Sequence, residues 1–171
     1  MKISLIGSRK HGKDYNADII QKEFDLHRLA WADNVKQFCE NKYPFLCGLN
    51  TPELKDEVIS KVNKSPRDFW NETSKKYGEE YFFDINIDFI KNKNNIIITD
   101  TRNKREFDFL EKNNYLNILI IRPGYPQFEG YDLRIKEFVD EIKHVFVNDG
   151  KNDIIEFIND LINTERLKDE I

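Results

Sequence analysis

The 171-residue sequence carries 27 Lys and Arg against 31 Asp and Glu, a net charge of -4, so no overall basic field draws it to a nucleic acid polymer or an anionic membrane. A 39% hydrophobic share and 13% aromatic content lie above the disordered range, and the length suits a single domain, residues 1–171, that buries its own core. Cys39 and Cys47, separated by seven residues and with only three histidines in the chain, exclude a thiolate zinc pattern and read as reduced thiols.

In chain order, short apolar runs alternate with segments of helical period, the signature of an α/β fold with a parallel sheet and crossover helices. Residues 3–6 (Ile-Ser-Leu-Ile) predict the first strand, followed by a glycine-bounded loop and a helix with Ala17, Ile20 and Phe24 on one face. Residues 27–31 predict a second short strand. Asp33 then caps a helix carrying Val35, Phe38 and Cys39. Residues 49–90 predict a helical insertion. Leu54, Val58 and Val62 are spaced by four, Ser65-Pro66 forms a cap with proline at the first helical position, and Phe82, Ile85 and Phe89 continue the period past Gly78. Such an insertion can cover an acceptor site. Residues 92–95 form a polar turn before the β-branched run 96–99, a buried strand ending in Asp100.

Asn103 and Glu106 have capping-box spacing and open a helix with Phe107 and Leu110 inward. A strand at 117–121 precedes a stretch rich in proline, glycine and aromatics at 123–131. Helical spacing then resumes through Ile135, Phe138, Val139 and Ile142, and a lid is expected within about 123–142. A fifth strand at 145–147 and a helix striped by Ile154, Phe157, Ile158 and Leu161 complete the chain. The opening run of residues 1–7 is too short and polar for a signal peptide or a membrane span, which predicts a cytoplasmic protein.

The chemistry is concentrated in Gly7-Ser8-Arg9-Lys10-His11-Gly12-Lys13, whose spacing is that of the Walker A loop. In that loop backbone N–H groups and a helix N-terminus face phosphate oxygens, and lysine reaches the β and γ groups. Arg9, Lys10 and Lys13 concentrate positive charge there, and His11 is a further contact to donor phosphate. Position 14 is Asp where the common loop has Ser or Thr. A carboxylate can ligate Mg²⁺, although Asp14 can equally interact with the helix dipole. Asp100 ends an apolar strand as a Walker B acid does, a candidate for metal or substrate, and Arg102 can grip a phosphate bidentately. Whether these two lie beside the phosphate loop depends on whether their strand neighbours the first.

Gly7 to Asp14 with Ala17-Asp18, Leu29-Ala30, Ser65-Pro66-Arg67, Asp100-Thr101-Arg102 with Glu106, Arg122-Pro123-Gly124 and Asn148-Asp149-Gly150 resemble, in order, segments of bacteriophage and viral deoxynucleoside monophosphate kinases. The resemblance implies a five-stranded P-loop kinase core, transfer of the ATP γ-phosphate to a deoxynucleoside monophosphate, acceptor-side roles for Asp100, Arg102 and Glu106, and a host cytoplasm if the source is viral. Animal phosphomevalonate kinases are similar in the same places and supply the competing acceptor. A nucleotide-binding switch without a small acceptor is the third reading, although no NKxD guanine-reading motif is present.

The residues expected to do the work are Lys13, Asp100 and Arg102 in catalysis, Gly7 to Asp14 around ATP, and Asp14 and Asp100 on Mg²⁺. Arg67, Trp70, Asp100, Arg102 and Glu106 are assigned to the acceptor, with Arg105, Arg122 and Arg134 as further arginines and Trp31 as a second aromatic face. Partners are expected to be small-molecule nucleotides, with homodimerisation left open.

Overall fold

The computed structural model describes residues 1–91 and 93–169. The side chains of Glu79, Phe89, Tyr131 and 165–169, and the whole of Asn92, lie outside that description, and with them the expected roles of Phe89 and Asn92. The chain divides into two compact units, one of residues 1–30 with 94–171 and one of residues 31–93.

The first unit is a five-stranded parallel sheet with strand order β2-β3-β1-β4-β5, built from β1 (Lys2–Ile6), β2 (His27–Leu29), β3 (Ile96–Ile98), β4 (Leu116–Ile121) and β5 (His144–Val147). In register, Ser4 faces Ile98 on one side of β1 and Asn117 on the other. Helices α1 (Lys13–Phe24), α5 (Lys104–Lys112) and α6 (Ile154–Asp169) are the crossovers and the C-terminal cover. Alternation along the strands sorts the side chains by face. Ile3, Leu5, Ile118 and Ile120 pack with Ala17 and Ile20 of α1 and Ile154 and Ile158 of α6, while Ile6 and Leu119 pack with Phe107 of α5, Ile135, Phe138 and Ile142. Both faces of the central strands are therefore covered, which explains why β3 is an unbroken isoleucine run.

The capping box expected at α5 is present. Asn103 Oδ1 accepts the Glu106 N–H at 2.9 Å and the Glu106 carboxylate accepts the Asn103 N–H. The helix expected over 133–142 is instead a 3₁₀ helix at Gly130–Glu137 followed by a second at Val139–Glu141. Ile135 and Phe138 are fully buried, and the Phe138 ring stacks on Phe107 with centroids 4.8 Å apart. The segment expected to form a lid thus splits into an exposed stretch at 122–127 and a part seated in the core.

The second unit is helical: α2 (Asp33–Lys42), α3 (Pro66–Tyr77) and α4 (Glu79–Ile90), with a 3₁₀ turn at Pro44–Leu46. It takes in α2 as well as the insertion expected from residue 49. Ser65 caps α3 as its sequence predicts, its hydroxyl accepting from Asp68 N while Asp68 returns a carboxylate to the Ser65 N–H. At α2, Ala32 occupies the N-cap, with no side-chain cap bond, and the expected cap residue, Asp33, is the first helical residue.

Residues 51–64 are not helical, against the expectation from Leu54, Val58 and Val62. They form turns closed by an antiparallel Ile59–Lys64 bridge, with Asn63 at φ 51°. All three aliphatic residues are exposed there, so the spacing of four builds no buried face, and a short helix without one does not hold in water.

Candidate functional site

β3 is the direct neighbour of β1, so the condition for bringing Asp100 and Arg102 to the phosphate loop is met. The loop leaves the carboxyl end of β1, and Asp100-Thr101-Arg102 leaves that of β3. A buried contact of 3.2 Å between Ser4 Oγ and Thr101 Oγ1 ties the chain leaving β3 to the middle of β1. β4 lies on the other side of β1. The order of connections reverses between β1 and β4, the crevice where ligands of open α/β sheets bind.

The loop's glycines are there because the backbone is crowded. Gly7 sits at φ 149°, and a Cβ on it would stand 2.5 Å from Ile120 O of β4. A Cβ on Gly12, at φ 90°, would meet Asn148 Nδ2 at 2.2 Å. That Asn148 amide donates to His11 O at 2.9 Å and closes the loop's far end. Lys10 is also left-handed, at φ 69°.

Lys13 begins α1 and is buried, its ammonium donating to Gly7 O at 2.7 Å and Ser8 O at 2.9 Å. Burial, then the nearby Arg102 guanidinium, pull its pKa down to about 8, against the opposing charges of Asp132, Asp14 and Asp100. Glu106 is pushed up to about 8, first by burial and then by the charge of Asp100, although its carboxylate accepts the Arg102 N–H at 2.8 Å and the Asn103 N–H at 3.3 Å. Lys13, Asp100, Arg102 and Glu106 thus share one electrostatic neighbourhood.

Two residues that sequence reasoning did not single out complete this neighbourhood. Asp132 is buried and accepts the Arg9 N–H through Oδ2 at 2.8 Å, while its Oδ1 lies 2.9 Å from Arg102 Nε. Arg28, on β2, ion-pairs with Asp14, lies 3.6 Å from Asp18 Oδ1 and donates through Nε to Thr99 Oγ1 at 3.3 Å. Neither belongs to a short motif. Both are charged residues in or beside apolar runs, the only sequence signal they offer.

Of the remaining loop side chains, Ser8 and His11 turn toward the rest of the chain. Ser8 Oγ accepts the Phe128 N–H at 2.6 Å. The His11 ring is buried, with Nδ1 3.1 Å from Ile120 O and Nε2 3.0 Å from Pro126 O. The His11 imidazole, expected against donor phosphate, therefore faces the chain following β4. Arg9 and Lys10 are exposed, and Arg122, whose guanidinium lies over the Tyr125 ring at 4.4 Å, donates to Lys10 O at 3.5 Å.

Of the expected acceptor residues, Arg67 and Trp70 belong to the 31–93 unit. Arg67 pairs with Asp56 in the 51–64 turns. Trp70 is buried among Val35, Cys39, Leu46 and Phe82, a core position, and Trp31 is buried and stacked on Phe83 at 5.4 Å. Both cysteines are free thiols.

Asp14 and Asp100 offer hard oxygen donors, suited to Mg²⁺. Among the described residues no group of three or more acids, histidines or cysteines could hold a metal ion by itself.

No family model and no curated protein matches the sequence. Among solved structures, the crystal structure of shikimate kinase from Aquifex aeolicus VF5 superposes with a TM-score of 0.58 at 12% identity, covering 97% of this chain and 96% of that one. The fold is that of the P-loop kinases: a five-stranded parallel sheet flanked by helices, with a glycine-bounded loop after its first strand. At 12% identity the likeness is one of fold.

Proposed function

We propose that this chain is an ATP-dependent phosphotransferase whose acceptor is itself a phosphate monoester, a deoxynucleoside monophosphate, and that it works in the cytoplasm. The observation that carries the reading is the placement of Lys13, Asp100 and Arg102 at the carboxyl ends of adjacent parallel strands, β1 and β3, around a loop built of positive charge and glycine. Among the described residues no helix is long and apolar enough to cross a membrane.

A phosphate monoester has a second pKa of about 6 and is already largely a dianion at neutral pH. No base is needed to make it a nucleophile. What the protein contributes is alignment and neutralisation. Lys13 and the loop amides hold the donor phosphates, and Arg102 bears charge that builds on the transferred group. Asp14 and Asp100 would hold Mg²⁺, which supplies charge neutralisation at the β and γ oxygens. Glu106 keeps the start of α5 in place by accepting the Arg102 and Asn103 amides, so Arg102 leaves the strand in a defined direction.

A hydroxyl acceptor is the second reading, because a structural neighbour that covers 97% of the chain is titled a shikimate kinase. An alcohol, unlike a phosphate, must lose a proton, and Asp100 and Glu106 are among the carboxyl groups near the transfer site, with Asp14 and Asp132 already ion-paired. A coupled assay of ADP formation with each deoxynucleoside monophosphate, with phosphomevalonate and shikimate in parallel, decides between these. Turnover of at least one deoxynucleoside monophosphate is expected. ADP formation with phosphomevalonate or shikimate alone overturns the nucleotide reading in favour of that acceptor. A silent wild-type protein whose biological role survives Lys13→Ala favours a noncatalytic switch.

A further inference from the structure

The segment after β4 holds the phosphate loop at four consecutive residues: Phe128 N on Ser8 Oγ, Asp132 on Arg9 N, Arg122 on Lys10 O and Pro126 O on His11 Nε2. Three of these contacts act on the loop alone. Asp132 differs, because its two oxygens are divided between the donor loop and the arginine of the neighbouring strand end.

The placement of Asp132 is built into the fold. In a 3₁₀ helix residues i and i+3 eclipse, so Asp132 and Ile135 of the Gly130–Glu137 turn share a side. Ile135 is fully buried against Ile6, Leu119 and Phe107. Seating Ile135 beneath β1 and β4 thereby aims Asp132 at the loop that leaves β1. The carboxylate is buried and meets one backbone donor and one guanidinium, as an acid removed from water must. Its Oδ1 lies 2.9 Å from Nε, the guanidinium nitrogen nearest the aliphatic stem, a close ion pair without the alignment of a hydrogen bond, so charge rather than a directed N–H holds Arg102 there.

We propose that Asp132 is a positioning residue for phosphoryl transfer, locking the Arg102 guanidinium to the Arg9 amide so that the acceptor-side charge and the donor loop keep one geometry. The inference rests on the transfer reading above. A misplacement of about 1 Å in such a pair is worth roughly 100-fold in rate, so the effect should appear in kcat and act mainly through Arg102, with a smaller part through the Lys13 ammonium, whose charged form Asp132 also favours.

The test is a double-mutant cycle in the coupled assay, using Asp132→Asn, Arg102→Gln and the double variant, with urea unfolding of each. Asp132→Asn keeps the shape and an oxygen for the Arg9 amide while removing the charge that holds Arg102. Expected is a fall in kcat of at least tenfold with the KM for ATP within threefold. In the Arg102→Gln background the same substitution should cost less than twofold, because its main target is already gone. A merely structural role would instead multiply the two losses and shift the unfolding midpoint in step. That result, or an unchanged kcat in Asp132→Asn, overturns the proposal while leaving the transfer reading intact. A wild-type protein that turns over no acceptor overturns both. If Asp132→Asn does not fold, Asp132→Glu, which keeps the charge on a longer arm, is read in the same cycle. An unchanged kcat there counts against the proposal, and a loss confined to the Arg102 background supports it.

Discussion

Replacing Gly7 by alanine probes the packing of the phosphate loop against the sheet. An added Cβ would stand 2.5 Å from Ile120 O, where real Cβ atoms stay beyond 3.0 Å, so loop or strand must move by about half an ångström or more. β4 cannot easily yield, being hydrogen-bonded to β1 on one side and β5 on the other. Overpacking of this kind costs about 1–3 kcal/mol. The φ of 149° adds dihedral strain of about 1–3 kcal/mol for any side chain. Together these approach a large part of the roughly 5–15 kcal/mol by which a domain is stable. Gly150→Ala is the control, since Gly150 has φ 79° and open space around its Cβ position, and it should cost only the strain of about 1–2 kcal/mol. Urea unfolding of both variants, with m-values checked for constancy, measures the difference. Equal losses in the two, within about 0.5 kcal/mol, would refute the claim that β4 crowds the loop.

Three further outcomes follow from charge. Lys13→Ala should lower kcat/KM for ATP by roughly 100-fold or more. In the wild type the same parameter should fall with pH above about 8, as the buried ammonium loses its proton. A profile flat to pH 9.5 would contradict that placement. Glu106 is protonated in the folded protein up to about 8 but ionises near 4.5 when unfolded. The unfolded chain therefore releases a proton that the folded one keeps, and stability should decline as pH rises from about 4.5 to 8, by on the order of a few kcal/mol. Thermal or urea unfolding of Glu106→Gln across that window should lack the decline, and identical slopes in the two proteins would sink the assignment.

What could be read in the sequence was whatever local chemistry decides. The glycine-bounded loop between β1 and α1, the caps at Ser65 and Asn103 and the isoleucine strand at 96–98 each depend on residues within a few positions of one another. The misreadings share the opposite property. Leu54, Val58 and Val62 have helical spacing, but whether a face is buried depends on what lies opposite it, and there these residues meet solvent. Residues 133–142 have the apolar positions of an α-helix. The 3₁₀ turns at 130–141 present the same residues, Ile135, Phe138 and Ile142, to the core with tighter winding. Asp132 and Arg28 escaped notice because their partners lie 30 and 14 residues away along the chain, with Arg102 and Asp14 respectively. Only the order of the strands brings those pairs together.

The four contacts that hold residues 8–11 also set a sequence of events for the folding chain. Their partners, Arg122, Pro126, Phe128 and Asp132, are separated from the loop by more than a hundred residues. Closing so long a loop is entropically costly and comes late. During synthesis β1 and α1 emerge before these partners, and the straps on the chain between them are complete only once residue 132 has left the ribosome and β4 has joined the sheet. The stretch that carries the nucleotide motif, though read from seven adjacent letters, is in physical terms a long-range structure. Its native conformation is acquired only when the C-terminal half of the sheet is in place.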